Sequence, residues 1–230
     1  MKQCYTTWRM HKNRLLQPTI IYFLGMPGVG KSYVARQLSD LLGAAHVSSD
    51  RLRYELFAEP RFDKGEHMVI TRLMEYMTEE FLGIGHSVVY DISVSRLQDR
   101  RELRELARKN NAKELLIWIQ TDMEHAWSRA QTIDRRKLDD KYRAPIDRAV
   151  FEQYVRLIQN PQHEQYLVLS GKQMFETHKS AILRRLKEMN LLDTQNLNPQ
   201  VGKPGLVNLV SQAQAQAGRV DPNRRNITLR

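Results

Sequence analysis

Apolar residues follow two spacings along this chain, and the two take turns. Strand-length segments stand at residues 19–24, 44–49, 87–91, 114–119 and 166–169, mostly apolar runs apart from the shorter, more polar 44–49. Stretches of helical spacing separate them. In residues 33–42 the apolar positions are 34, 35, 38, 41 and 42, and further helical segments cover 66–82, 96–109, a stretch from Met123, 151–158 and 174–192. In the second helical segment Met68, Val69, Leu73, Met74, Met77 and Phe81 read as one core-facing side, closed by Gly83 and Gly85. The charges of 96–109 read as a solvated face. Strands that are apolar on both faces, alternating with helices, predict an α/β fold: a five-stranded parallel sheet with helices on both faces. Beyond residue 193 the composition shifts to Asn, Gln, Gly and Pro, and no internal repeat is present.

The junction of the first strand and helix carries the strongest chemical signal. Residues 25–32 read Gly25-Met26-Pro27-Gly28-Val29-Gly30-Lys31-Ser32, the pattern G-x-x-x-x-G-K-[ST] between a strand and a helix. Glycines let backbone N–H groups turn inward around a phosphate, and the following helix adds the positive end of its dipole. Lys31 is placed to reach the β- and γ-phosphates and the Ser32 hydroxyl to ligate Mg²⁺. An ordinary glycine-rich turn leaves Lys31 and Pro27 without a role. The expected ligand is a nucleoside triphosphate. No guanine-reading N-K-x-D follows the fourth strand, which favours ATP.

Composition narrows the setting. The 230 residues, 41% hydrophobic, suit one packed core with tails. No apolar run approaches a membrane span, and the single cysteine, Cys4, excludes an internal disulfide and a Cys-based metal cluster. A reduced, cytoplasmic location is expected. The first twenty residues lack a secretion signal, although an acid-free start with Arg9 and Arg14 also fits an organelle transit peptide. The formal charge of +10 is local: residues 1–18 carry +4, 129–148 carry +3, 193–230 carry +3, and the rest is neutral. A basic arm (1–18), a single P-loop domain (19–192) with a basic lid at about 129–148, and a flexible tail (193–230) follow. The tail is expected to dock on a protein partner or stay mobile. The basic ends would hold a polyanion non-specifically.

In a parallel α/β sheet, ligand chemistry gathers at the carboxyl ends of the strands. Asp50 is expected to close the second strand and Asp91 the third. Asp50 is a base for an incoming hydroxyl or a cap of the helix beginning at Arg51. Arg53 falls on the same helical face and could hold the acceptor or its phosphate. Asp91 reads as the acid that orients Mg²⁺ through water, and Ile92, where motor ATPases place a water-activating carboxylate, favours transfer over hydrolysis. In the basic segment Arg129, Arg135, Arg136, Lys137, Lys141, Arg143 and Arg148 form a solvated face or a lid. Arg136 and Arg129, then Arg135, are the first candidates for neutralising the transferring phosphoryl group.

Over about residues 19 to 185 the chain resembles the kinase domain of the phage 5′-hydroxyl polynucleotide kinase group and the small kinases often labelled AAA-type. The resemblance rests on the loop 25–32, on Ser49-Asp50-x-x-Arg53, on Val89-Tyr90-Asp91 and on the lid arginines. It implies a P-loop NTPase fold, Asp50 as general base, Arg53 on the acceptor phosphate, and Arg135 or Arg136 clamping the β- and γ-phosphates. It implies ATP and Mg²⁺ as cofactors. The lid is longer than the polynucleotide kinase pattern and no phosphatase domain follows. The expected activity is ATP-dependent phosphoryl transfer to an alcohol, first choice an RNA or DNA 5′-hydroxyl. The alternatives are a small-molecule or nucleotide-sugar hydroxyl, as in a toxin-type kinase, and a regulatory module that binds ATP.

Overall fold

A computed structural model describes residues 15–134, 136, 141–143 and 145–192. Five strands, β1 (Thr19–Leu24), β2 (Ala45–Ser48), β3 (Val88–Ser93), β4 (Lys113–Gln120) and β5 (Tyr166–Ser170), form one parallel sheet. Its order is β2-β3-β1-β4-β5, so β1 lies at the centre, and all six of its residues are buried. Side chains of β1 alternate between two cores, as the two-residue period requires. Ile21 and Phe23 join Val89, Ile117 and Ile119 under α1 (Lys31–Leu42) and α7 (Phe175–Glu188). Ile20, Tyr22 and Leu24 join Val88 and Tyr90 under α3 (Lys64–Gly83) and α4 (Leu97–Lys109). The short α2 (Ser49–Leu56) follows β2, while α5 (Met123–Gln131) and α6 (Arg148–Arg156) contribute Ala126, Ala130 and Phe151 to the first core. The expected α/β architecture is therefore present.

Several boundaries and faces differ from the sequence expectation. On α3 the buried residues are Glu66, Ile70, Met74, Thr78 and Leu82, a strict four-residue series, while Met68 and Val69 are exposed. Polar Glu66 and Thr78 occupy core positions, so counting apolar residues misplaces the face. Glu66 is accommodated because its carboxylate accepts from Arg53 Nη1 at 3.0 Å and from the backbone N–H groups of Arg61 and Phe62. Residues 15–18, assigned to the basic arm, belong to the domain: Leu15 is buried and the Leu16 N–H donates to the Leu191 carbonyl. Residues 1–14 and the tail 193–230 lie outside the described residues.

The charged α4 is not simply a solvated face. Arg100 is completely buried. Its Nη2 donates to Glu164 at 2.8 Å, its Nε also to Glu164, and its Nη1 to the carbonyls of Val94 and Ser95. Arg104 adds a second cation to Glu164. One guanidinium thus ties the turn after β3 to the loop before β5, with its donors largely satisfied. Removing one member of such a pair leaves the other charge buried and alone. Arg100→Met should cost about 3 kcal/mol or more of unfolding free energy in urea titration, and a loss below about 1 kcal/mol would show the pair to be dispensable.

Candidate active site

The glycine loop leaves β1 at Gly25 and enters α1 at Lys31. Gly28 has φ +81°, and a Cβ placed there would stand 2.1 Å from the Ala126 carbonyl oxygen of α5. At Gly25 a Cβ would stand 2.5 Å from the Ile119 carbonyl. Both glycines are therefore set by conformation and by contact. The α1 N-cap is Gly30; it supplies no side-chain cap, and the first turn carries no acid. The N–H groups of that turn are left to an anion. Val29 turns its side chain into the core, Met26 packs against it, and Pro27 lines the cleft, so Val29 can offer a ligand only its backbone.

Lys31 folds over the loop, with Nζ donating to the Gly25 and Met26 carbonyls at 2.9 and 2.8 Å. Burial brings its pKa down to about 8, with Arg143 acting in the same direction and Asp91 and Asp50 opposing it. Beside it the Ser32 hydroxyl donates to Asp91 Oδ1 at 3.0 Å. The other Asp91 oxygen, Oδ2, accepts from His46 Nε2 at 3.1 Å. Parallel pairing of β2 with β3 sets Ser48 opposite Asp91, and the Ser49 hydroxyl donates to the Asp91 carbonyl. Asp91 is thus fixed from two sides. It does not close β3, which runs on to Ser93.

Asp50 does not close β2 either. The helix begins at Ser49 with Ser48 as its N-cap, so Asp50 sits inside the first turn and is not the cap. Its carboxyl makes no hydrogen bond or ion pair with the described residues. Burial raises its pKa to about 6 and Asp91 adds to the rise, against the opposing charges of Arg53, Lys31 and Arg143. A carboxyl left without partners beside a lysine, facing a cleft, is suited to accept a proton from something that enters.

The arginines divide. Arg53 lines the cleft but is 6% exposed, its charge answered by Glu66 and its guanidinium stacked 4.9 Å from the centre of the Phe62 ring. Arg129 lines the cleft, with Nη1 donating to the Gly171 carbonyl at 2.7 Å. Arg136 is not brought to the cleft: it pairs with Asp134 at 2.9 Å, and its side chain is 91% exposed. Arg135 lies outside the described residues, as do 137–140 and 144 of the expected lid. The structure brings in Arg143 instead. Its Nη2 donates to the carbonyls of Arg129 and Ala130 and its Nη1 to that of Thr132, so it caps the end of α5 while facing Lys31 and Asp50. Sequence reasoning named Arg143 in the basic segment without placing it among the first candidates, and it missed His46 altogether. Neither stands in a motif: each reaches the site through strand register or a helix end.

Residues 20–161, more than half the chain, match the family model described as an AAA domain. The chain belongs to that family. Among curated proteins, this AAA domain is 31% identical to the shikimate kinase of Caulobacter vibrioides (strain NA1000 / CB15N) over 134 residues, 54% of this chain. The chain spans 60% of the length of that relative. Solved structures with the same fold include a gluconokinase from Sinorhizobium meliloti 1021, with TM-score 0.54 and 15% identity over 75% of this chain and 93% of that one. The Mycobacterium tuberculosis APS kinase CysC, solved with AMPPNP and APS, gives TM-score 0.53 and 17% identity over 74% and 98%. Chaetomium thermophilum Kti12, solved with ADP-AlF3, gives 0.51 and 19% over 71% and 98%. Among the described residues no helix is long and apolar enough to cross a membrane, and no group of three or more His, Cys, Asp or Glu could hold a metal ion.

The raised pKa of Asp50 has a sign that thermodynamics can check. The folded carboxyl sits at about 6 against an ordinary 3.8, so between those values the folded chain holds the extra proton. Stability therefore falls as pH rises through that window, and at pH 7 Asp50 costs at most about 3 kcal/mol. Asp50→Asn should raise the melting temperature at pH 7, with the gain fading below about pH 4. Equal melting at pH 7 would mean that the carboxylate is solvated as well as in the unfolded chain.

Proposed function

We propose that this AAA domain transfers the γ-phosphoryl group of ATP to an alcohol. The observation that carries the proposal is the Asp50 carboxyl, without a partner among the described residues, beside Lys31 and on the same cleft as an uncapped helix N-terminus. The amides of residues 25–30 and of the first turn of α1 cradle the phosphates, and Lys31 leaves its two carbonyl partners for the β- and γ-oxygens. Asp50 takes the hydroxyl proton. Arg129 and Arg143, near the two ends of the expected lid segment, face the cleft, where positive charge offsets what builds up on the transferring group. Ser32 and Asp91 offer a hydroxyl and a carboxylate 3.0 Å apart, the hard oxygen set that Mg²⁺ takes, with Asp91 acting through water. Bound there, Mg²⁺ would neutralise phosphate charge. His46 keeps Asp91 Oδ2 occupied and leaves Oδ1 toward Ser32. The printed names of the relatives, shikimate kinase, gluconokinase and APS kinase, agree with this class of reaction.

For the acceptor we favour a small hydroxylated molecule over a polynucleotide 5′-end. A nucleic-acid end needs cations for its phosphates. Arg53, the residue that the polynucleotide kinase resemblance assigns to that task, is already neutralised by Glu66 at 3.0 Å. A regulatory module that binds ATP and acts through a protein partner of the tail predicts release of free phosphate only.

Label transfer from γ-labelled ATP to oligonucleotides and to a metabolite pool separates these acceptors. Lys31→Ala should abolish transfer, and Asp50→Asn should cut turnover by roughly 10²-fold or more while ATP affinity stays within a few-fold. kcat/KM should rise through about pH 6 as Asp50 ionises and decline above about pH 8 as Lys31 loses its proton. Normal turnover in Asp50→Asn would move the base elsewhere.

A further inference from the structure

Residues 141–143 make contact with two of the elements that line the cleft. Arg143 holds the end of α5 through the carbonyls of Arg129, Ala130 and Thr132. Its neighbour Tyr142 packs on Tyr54 of α2, with ring centroids 6.0 Å apart and ring planes at 50°. Tyr54 in turn meets the Phe62 ring, 6.3 Å away at 65°. Lys141 Nζ lies 4.9 Å from the centre of the Tyr142 ring. The three rings join α2, the loop before α3 and the segment that carries Arg143.

The base of this stack is fixed. Phe62 has φ +57°, which is uncommon for a bulky residue. Its N–H donates to Glu66 Oε2 at 2.9 Å, and the Arg53 guanidinium lies 4.9 Å from the centre of its ring. Two partners thus hold a backbone conformation that the residue would not choose alone. Tyr54 follows Asp50 by one helical turn, so the proton acceptor and the stack share α2. None of the three rings belongs to either buried core, so their contact is not a by-product of core packing.

In this structure both Nη atoms of Arg143 donate to α5 carbonyls, while its charge is felt at Lys31 and Asp50. A phosphate in the glycine loop is a stronger acceptor for a guanidinium than a neutral carbonyl. On exchanging one for the other, Arg143 gives up its hold on α5. The ring contact with Tyr54 then keeps residues 141–143 at the cleft. We propose that Tyr54 is a positioning residue: braced by Phe62, its ring anchors Tyr142 and so holds Arg143 where it can pass from the α5 carbonyls to the terminal phosphate of a bound nucleotide. This rests on the cleft binding a nucleoside triphosphate, and on no particular acceptor.

The test uses the full chain and two probes titrated by calorimetry with Mg²⁺ present: the non-transferable analogue AMPPNP, and ADP, which lacks the terminal phosphate. Tyr54→Ala should weaken AMPPNP binding by about threefold to tenfold while ADP stays within about twofold, and Tyr54→Phe, which keeps the ring, should restore AMPPNP. Arg143→Met should weaken AMPPNP at least as much, and adding Tyr54→Ala to it should cost nothing further, because the ring acts only through that arginine. If Tyr54→Ala unsettles α2, Tyr142→Ala removes the other ring outside any helix and should give the same pattern. An unchanged AMPPNP affinity, equal losses for both nucleotides, no recovery in Tyr54→Phe, or losses that multiply in the double variant overturns the anchor. The two proposals fail separately. The expected pattern of affinities with no alcohol ever taking label from ATP leaves the anchor standing and removes the kinase. Label transfer by a chain whose ring variants lose AMPPNP and ADP alike keeps the kinase and removes the anchor.

Discussion

The loop at the end of β1 can curl as it does only because no side chain stands where the backbones of α5 and β4 press against it. The Ala126 and Ile119 carbonyls occupy the places where Cβ atoms of Gly28 and Gly25 would lie. That approach fixes the loop from outside, so its amides need no side-chain cap to hold their direction. The uncapped start of α1 and the placement of Lys31 both follow. A loop held by its own side chains would have spent those N–H groups internally.

Around this loop the charges are held in tension. Lys31, Asp50 and Asp91 lie close together with Arg143 facing them, and burial works against the charged forms of Lys31 and Asp50 alike. Asp91 is held by two side-chain partners, Ser32 and His46, whereas Asp50 has none among the described residues. The contrast separates a carboxylate that is positioned from one that is left available, a division of labour that phosphoryl transfer requires. Nearby, two buried ion pairs do structural work: Arg53 with Glu66 joins α2 to α3, and Arg100 with Glu164 ties the turn after β3 to the β5 side. Arg53 lines the cleft and Arg100 holds the lining residues Val94 and Ser95, so the cleft's shape depends on polar contacts inside the protein as well as on apolar packing.

Most of the fold was legible in the chain because strands buried on both faces are written as unbroken apolar runs, and because G-x-x-x-x-G-K-S has one dominant use. Boundaries moved by one to four residues at strand and helix ends, as at Asp50, where a helix started earlier than expected. The side of α3 that faces the core was misread because Glu66 is buried by partners from a different segment. The solvated look of α4 hid Arg100 for the same reason. Charge pattern reports local solubility; it cannot show that a carboxylate 64 residues away will meet a guanidinium.

What the sequence by itself determined was the parallel α/β layering and the phosphate-binding loop with Lys31 and Ser32, since both depend on residues adjacent in the chain. Tertiary structure alone decided that His46 steadies Asp91, that Arg143 and not Arg136 faces the cleft, and that Asp50 has no hydrogen bond or ion pair with the described residues. Each of those outcomes turns on strand register, a helix end or a long-range partner, which place residues distant in sequence side by side and leave no local trace in the order of amino acids.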